Sequence, residues 1–184
     1  MTIGELITRW TIRAAVLLYV LAVAGELQRR VAWAACPPSR RVAWAACPPL
    51  LEAISRWAWT LGCGLCVAHV AAAFHFYHGW SHAAAYRDTA RQTAEVTGLD
   101  WGGGLYFNYA FTLLWVADAL WWWLAPSSRR ARPFFLTAAL EAYFAFIVFN
   151  ATVVFETGAM RWFGVAAFCA LGMLLVLTRR KKPS

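Results

Sequence analysis

The chain has 184 residues, 61% of them hydrophobic and 14% charged, with a formal net charge of +8 at pH 7. Soluble domains run at about 45–50% apolar and about 25% charged, so this composition, arranged in long apolar runs, excludes an ordinary soluble domain. The basic residues gather at the ends of those runs, at Arg29, Arg30, Arg40 and Arg41, at Arg129, Arg130 and Arg132, and at Arg179, Arg180, Lys181 and Lys182. That is the footprint of positive-inside orientation beside anionic headgroups, and it excludes a nucleic-acid surface. The expectation is one all-α integral membrane domain over residues 1–184, with about five transmembrane helices.

The first apolar segment, 8–27, has an uninterrupted core of only AAVLLYVLAVAG. It is short for a hydrocarbon layer of about 30 Å unless Trp10 and the flanking arginines snorkel. Its Ala-rich end leads into Glu26 and Arg29 rather than a small-residue cleavage site, so it reads as a retained helix. In the loop 29–52 the ten residues 29–38 recur identically at 40–49, placing Cys36 and Cys47 in equivalent positions. Two copies of an 11-residue unit make no solenoid, and the Pro-Pro pairs forbid continuous helix. The loop reads as a tandem duplication without assigned function.

The second segment, 54–80, contains a CxxC, Cys63 and Cys66, in the middle of an apolar stretch where a thiolate is poorly stabilised. Core packing is the expectation there. Its end carries HFYHGWSH, three of the chain's four histidines in eight positions. On a continuous helix His75, His78 and His82 project within a sector of about 60°. His69 points about 120° away from His75 and lies about 9 Å deeper. Three imidazoles on one face, with Glu156 as a fourth donor, suit zinc, copper or iron. Asn108, Tyr109, Asn150, Asp88 and Asp100 lie at the same end as outer-shell candidates. Haem is disfavoured, because bis-histidine ligation across a bundle needs two helices and all four histidines fall in one segment. The competing reading is an aromatic belt at the membrane boundary.

Residues 83–104 have helix-compatible composition, a Gly98 suited to cap it, and a triple glycine at 102–104 that permits a tight turn. They predict an interfacial helix lying over the histidines, and a docking surface for a partner subunit or a second copy. The third segment, 105–125, carries Asp118, and the fourth, 132–156, carries Glu141. Counting from their shared loop puts both acids at similar depth, roughly 10–14 Å in. As intramembrane acids they form a functional pair by default, sharing one proton or each bonded separately to a Trp indole or Tyr hydroxyl. The fifth segment, 162–178, stops at the basic tail 179–184.

Positive-inside counting puts the C-terminus, the 126–132 loop and the duplicated loop in the cytoplasm, and the histidines outside, for a protein of the plasma (bacterial inner) membrane. Three functions fit this pattern. One is a metal or redox-cofactor site at the outer face. Another is a non-catalytic accessory subunit with Trp-rich faces packed on other chains and lipid. The third is a proton or ion transporter using Asp118 and Glu141, although the broken helices common in transporters are not evident. No motif decides whether the protein is an enzyme.

Overall fold

The computed structural model describes the backbone of residues 2–35 and 49–180 and the side chains of 2–32 and 50–177. Cys36, Cys47, Arg40, Arg41 and residues 181–184 lie outside the described residues, as does most of the duplicated segment. The described chain is all-helical, without a strand.

Helix α1, Ile3–Ala35, opens with a reciprocal cap: the Thr2 amide donates to Glu5 Oε2 at 3.0 Å and the Glu5 amide to Thr2 Oγ1 at 3.3 Å. It is longer than its apolar core predicts. Thr8 and Thr11 return their hydroxyls to backbone carbonyls one turn back, at 2.8 and 2.7 Å, and Glu26 binds Arg29, so polar residues extend the helix at both ends.

Helix α2, Pro49–Ala73, starts on a proline, whose missing N–H costs nothing in the first turn. It runs into a π-turn, Phe74–His78, and stops where Gly79 and Trp80 both take positive φ, 53° and 60°. A tryptophan there is uncommon, and two successive left-handed residues end the helix. Helix α3, His82–Thr97, then begins on Ser81, whose hydroxyl accepts from the Ala84 amide at 3.3 Å. Gly98, at φ 78°, caps α3 as its position predicts. His82 therefore belongs to α3 and not to the second segment.

Helix α4, Gly104–Leu124, follows a turn in which glycine is required by space. A Cβ on Gly102 would strike the Tyr86 carbonyl oxygen, and one on Gly103 would strike the Trp101 ring. A short helix α5, Pro126–Arg130, leads to α6, Phe134–Phe149, which ends in a second π-turn, Asn150–Val154. Helix α7 is Ala159–Arg180.

Among the described residues, four helices are long and apolar enough to cross a membrane: Ile3–Ala32, Leu50–His78, Phe134–Val154 and Ala159–Leu177. Helix α4 has Trp, Tyr, Asn and Asp in place of aliphatic residues, and it buries Leu105, Phe111, Trp115, Asp118, Ala119 and Trp122. Of these, Phe111, Trp115, Ala119 and Trp122 pack with Tyr19, Trp59 and Phe144 in one aromatic layer. Ring centroids lie 5.2 Å apart for Trp59–Trp115, 4.9 Å for Phe111–Phe144 and 6.0 Å for Tyr19–Trp115. Such tilted and edge-on pairs each contribute about 0.5–1.5 kcal/mol beyond the area they bury. Cys63 and Cys66 are buried in this core. Helices α1 and α2 approach closely because Gly25 faces Ser55 and Gly62 faces the Ala15 carbonyl and Trp115, the small-residue packing of membrane helices. The large side chains left exposed, among them Leu17, Leu61, Leu113, Leu120 and Met173, point outward along the bundle.

Candidate functional site

The aromatic layer separates two cavities, and among the described residues Tyr19 is the one that lines both. The larger, about 550 Å³, lies towards the histidine end. The smaller, about 240 Å³, lies towards the end where Arg30, Arg129 and Arg132 gather.

The larger cavity draws polar groups from four helices, with Thr8 and Tyr19 from α1. His69 and His78 come from α2 and its π-turn, Asp88 from α3, and Asn108, Tyr109 and Trp115 from α4. His69 Nδ1 lies 2.9 Å from the Thr8 carbonyl oxygen on α1. A carbonyl can only accept, so Nδ1 carries the proton and the neutral ring keeps its lone pair on Nε2. His78 Nδ1 stands 3.2 Å from Asp88 Oδ2, close enough for an ion pair when protonated, but its direction is too poor for a hydrogen bond. Asp88 also holds Arg91 at 3.1 Å. Trp115, also in the wall, is 2% exposed and its indole N–H has no hydrogen-bond partner among the described residues. An unpaired buried donor costs about 1–3 kcal/mol.

The three histidines chosen by helical spacing are dispersed. His75 is exposed, with its ring against Phe76 at 4.7 Å, and does not line the cavity. His82 points to tyrosines, Nδ1 at 3.2 Å from the Tyr109 hydroxyl and Nε2 at 3.4 Å from that of Tyr106. The common face spanning about 60° does not exist, because it assumes about 100° per residue through a π-turn and across the left-handed Gly79–Trp80 break. Glu156 lies beyond the second π-turn and Asp100 is exposed; neither lines the cavity. Asn150 returns its amide to the Phe146 carbonyl at 2.8 Å. Among the described residues no three His, Cys, Asp or Glu side chains are placed to hold a metal ion. His69, set aside by the same angular count, is in the cavity. Its partner is 61 positions away, so no local pattern announces it. Trp115 was more legible: Phe111, Trp115, Asp118 and Trp122 repeat at helical spacing on one buried face.

Asp118 and Glu141 both line the smaller cavity, but each is held by its own cations. Asp118 is 6% exposed and accepts from Arg129 at 2.8 Å and Arg132 at 2.6 Å. Glu141 accepts from Arg30, which also reaches Glu26. Arginine, and neither a Trp indole nor a Tyr hydroxyl, is the partner in both cases. These bonds tie α6 to α1 and α4 to the α5 turn. Arg130 adds a bond to Glu52 of α2 at 2.9 Å. Both π-turns stand away from this end. The larger cavity is lined by Phe74, Tyr77 and His78 of the first π-turn and Ala151 of the second, and π-turns often mark functional sites.

No protein-family model, curated protein or solved structure matches the chain.

Proposed function

We propose that this is a five-span inner-membrane protein that binds a small, uncharged, hydrogen-bond-accepting molecule in the larger cavity. The observation that carries the reading is a 550 Å³ cavity lined by His69, His78, Asn108, Tyr109 and Trp115, whose buried indole N–H has no partner among the described residues. The walls between these groups are apolar, with Val16, Val70, Phe111 and Ile147 among them. A few placed polar groups on an apolar wall are the usual form of a small-molecule site.

Helix α4 is the fifth span in this reading. At about 1.5 Å per residue its 21 residues reach about 30 Å, and Trp and Tyr rings suit a helix buried among others. Helix α3 is the interfacial helix that roofs the cavity. The arginine end lies in the cytoplasm with the C-terminus, by the excess of arginine there. Extraction of small molecules from protein purified in mild detergent tests the binding. The wild type retains a stoichiometric compound, and Trp115→Phe, which removes the N–H together with the rest of the five-membered ring, retains far less while still purifying as folded protein. Equal retention by both, or none by either, ends the proposal.

A transition metal at the same cavity is a second reading. It is favoured by His69, whose Nδ1–H is fixed on a backbone carbonyl as in metal-ligating histidines. Elemental analysis separates the two. Metal lost in His69→Ala and His78→Ala, but not in His75→Ala, would support it. Negligible metal in the wild type would sink it.

A further inference from the structure

The smaller cavity has a different chemistry, and its charge does not balance. Asp118 offers one negative charge to two guanidinium groups, Arg129 and Arg132, whose side chains are only 15% and 9% exposed. Neighbouring acids do not supply the missing charge. Glu26 and Glu141 are matched by Arg29 and Arg30, and Glu52 takes Arg130. The Trp122 ring under Arg129, 3.8 Å from its Cζ, eases burial of the cation but brings no charge. Among the described residues one largely buried positive charge is left over, and such charges persist where an opposite charge meets them.

The two arginines also have donors to spare. Arg129 uses Nε and Nη2 on Asp118, and Arg132 uses Nη1 on Asp118 and Nε on Thr137. Arg129 Nη1 and Arg132 Nη2 make no hydrogen bond among the described residues. Each arginine therefore keeps one guanidinium nitrogen that a carboxylate or phosphate oxygen can take. Both arginines line the 240 Å³ cavity, whose remaining wall is mostly apolar, with Leu27, Leu140, Phe144, Phe168 and Leu171 drawn from α1, α6 and α7.

We propose that this cavity binds an anionic amphiphile, with its acidic head on Arg129 and Arg132 and its hydrocarbon chain among α1, α4, α6 and α7. A free fatty acid and an acidic phospholipid share that chemistry. The site is independent of the ligand proposed for the histidine end.

The test uses full-length protein purified in a neutral detergent and depleted of lipid. Thermal stability is read with oleate, phosphatidylglycerol, phosphatidylcholine or inorganic phosphate added. Oleate or phosphatidylglycerol is expected to raise the melting temperature by several degrees, and which of them does so identifies the source. Phosphatidylcholine and inorganic phosphate are expected to leave it unchanged. Two variants locate the effect. Gly172 lines the cavity, and a Cβ there meets nothing within 4 Å. Gly172→Leu therefore fills the space, leaves every ion pair intact, and replaces a mid-helix glycine with a better helix former. It should melt no lower than wild type and lose the shift. Arg132→Gln removes the surplus charge while Arg129 keeps Asp118, and it too should lose the shift. An equal response to phosphatidylcholine, a response to inorganic phosphate alone, no response to any of the four, or a shift that survives both variants would each overturn the proposal.

Discussion

His69 and Thr8 are joined across the first two helices by a 2.9 Å hydrogen bond from an imidazole Nδ1 to a main-chain oxygen. The oxygen is that of an α1 residue whose own hydroxyl is turned back on Gly4. The bond sets the histidine's tautomer and pins α2 to α1 beside the larger cavity. His69→Phe keeps an aromatic ring, slightly larger, beside the cavity and loses the bond. It should lower stability by about 1 kcal/mol, measured by thermal unfolding in detergent. His75→Phe, at an exposed position, should leave stability unchanged. Equal effects of the two would mean that the bond contributes nothing.

The acids at the arginine end should differ sharply when neutralised. Asp118→Asn strands two largely buried guanidinium groups, and breaking a buried pair in this way costs about 3–5 kcal/mol. Glu141→Gln breaks a pair whose side chains are 39% and 48% exposed, and exposed pairs contribute only about 0–1 kcal/mol. Yield and melting temperature of the folded protein check both. Similar behaviour of the two variants would instead point to one shared role for the acids.

The turn before α4 should tolerate a side chain at one glycine and not at another. Gly102→Ala pushes a methyl group into the Tyr86 carbonyl oxygen, a backbone atom that cannot move alone, and overpacking of this kind costs about 1–3 kcal/mol. Gly104→Ala meets only the Thr89 methyl at 3.3 Å and should be near neutral. Limited proteolysis between α3 and α4 reports the difference, with faster cutting expected in the first variant alone.

Whether α4 spans the membrane is open to a direct test, since Thr97 and Ser127 bracket it. In a cysteine-free background, Thr97→Cys should react with a membrane-impermeant maleimide in intact cells. Ser127→Cys should react only after lysis. Labelling of both in intact cells would remove α4 from the spanning helices and reverse the orientation of α6 and α7; labelling of both only after lysis would remove α4 and reverse α1 and α2.

Much of this molecule was legible because the signals are local. Apolar runs and the Gly98 cap are properties of a few neighbouring residues; four of the runs are helices long and apolar enough to span, and Gly98 does cap α3. That Gly102 is closed in by the Tyr86 carbonyl of α3 was not legible, because that contact is not local. The helical reading of HFYHGWSH failed for a local physical reason. One π-turn and two left-handed residues change the rotation per residue, so an angular count begun at His75 is meaningless by His82. Counting from the shared loop placed Asp118 and Glu141 near each other, and both do line one cavity. That each is met by arginine was not legible, because Arg30 reaches Glu141 across 111 positions.

The sequence by itself determined the class of object: a basic-ended, helical protein with more apolar surface than water tolerates, since hydropathy and charge act along the chain without reference to partners. Only the tertiary structure decided which polar groups meet. It brought His69 into the cavity and dispersed the other histidines. It left the Trp115 N–H unpaired among the described residues and set two buried arginines against a single aspartate. Those outcomes depend on helix phase and interhelical distance, which no short stretch of residues encodes.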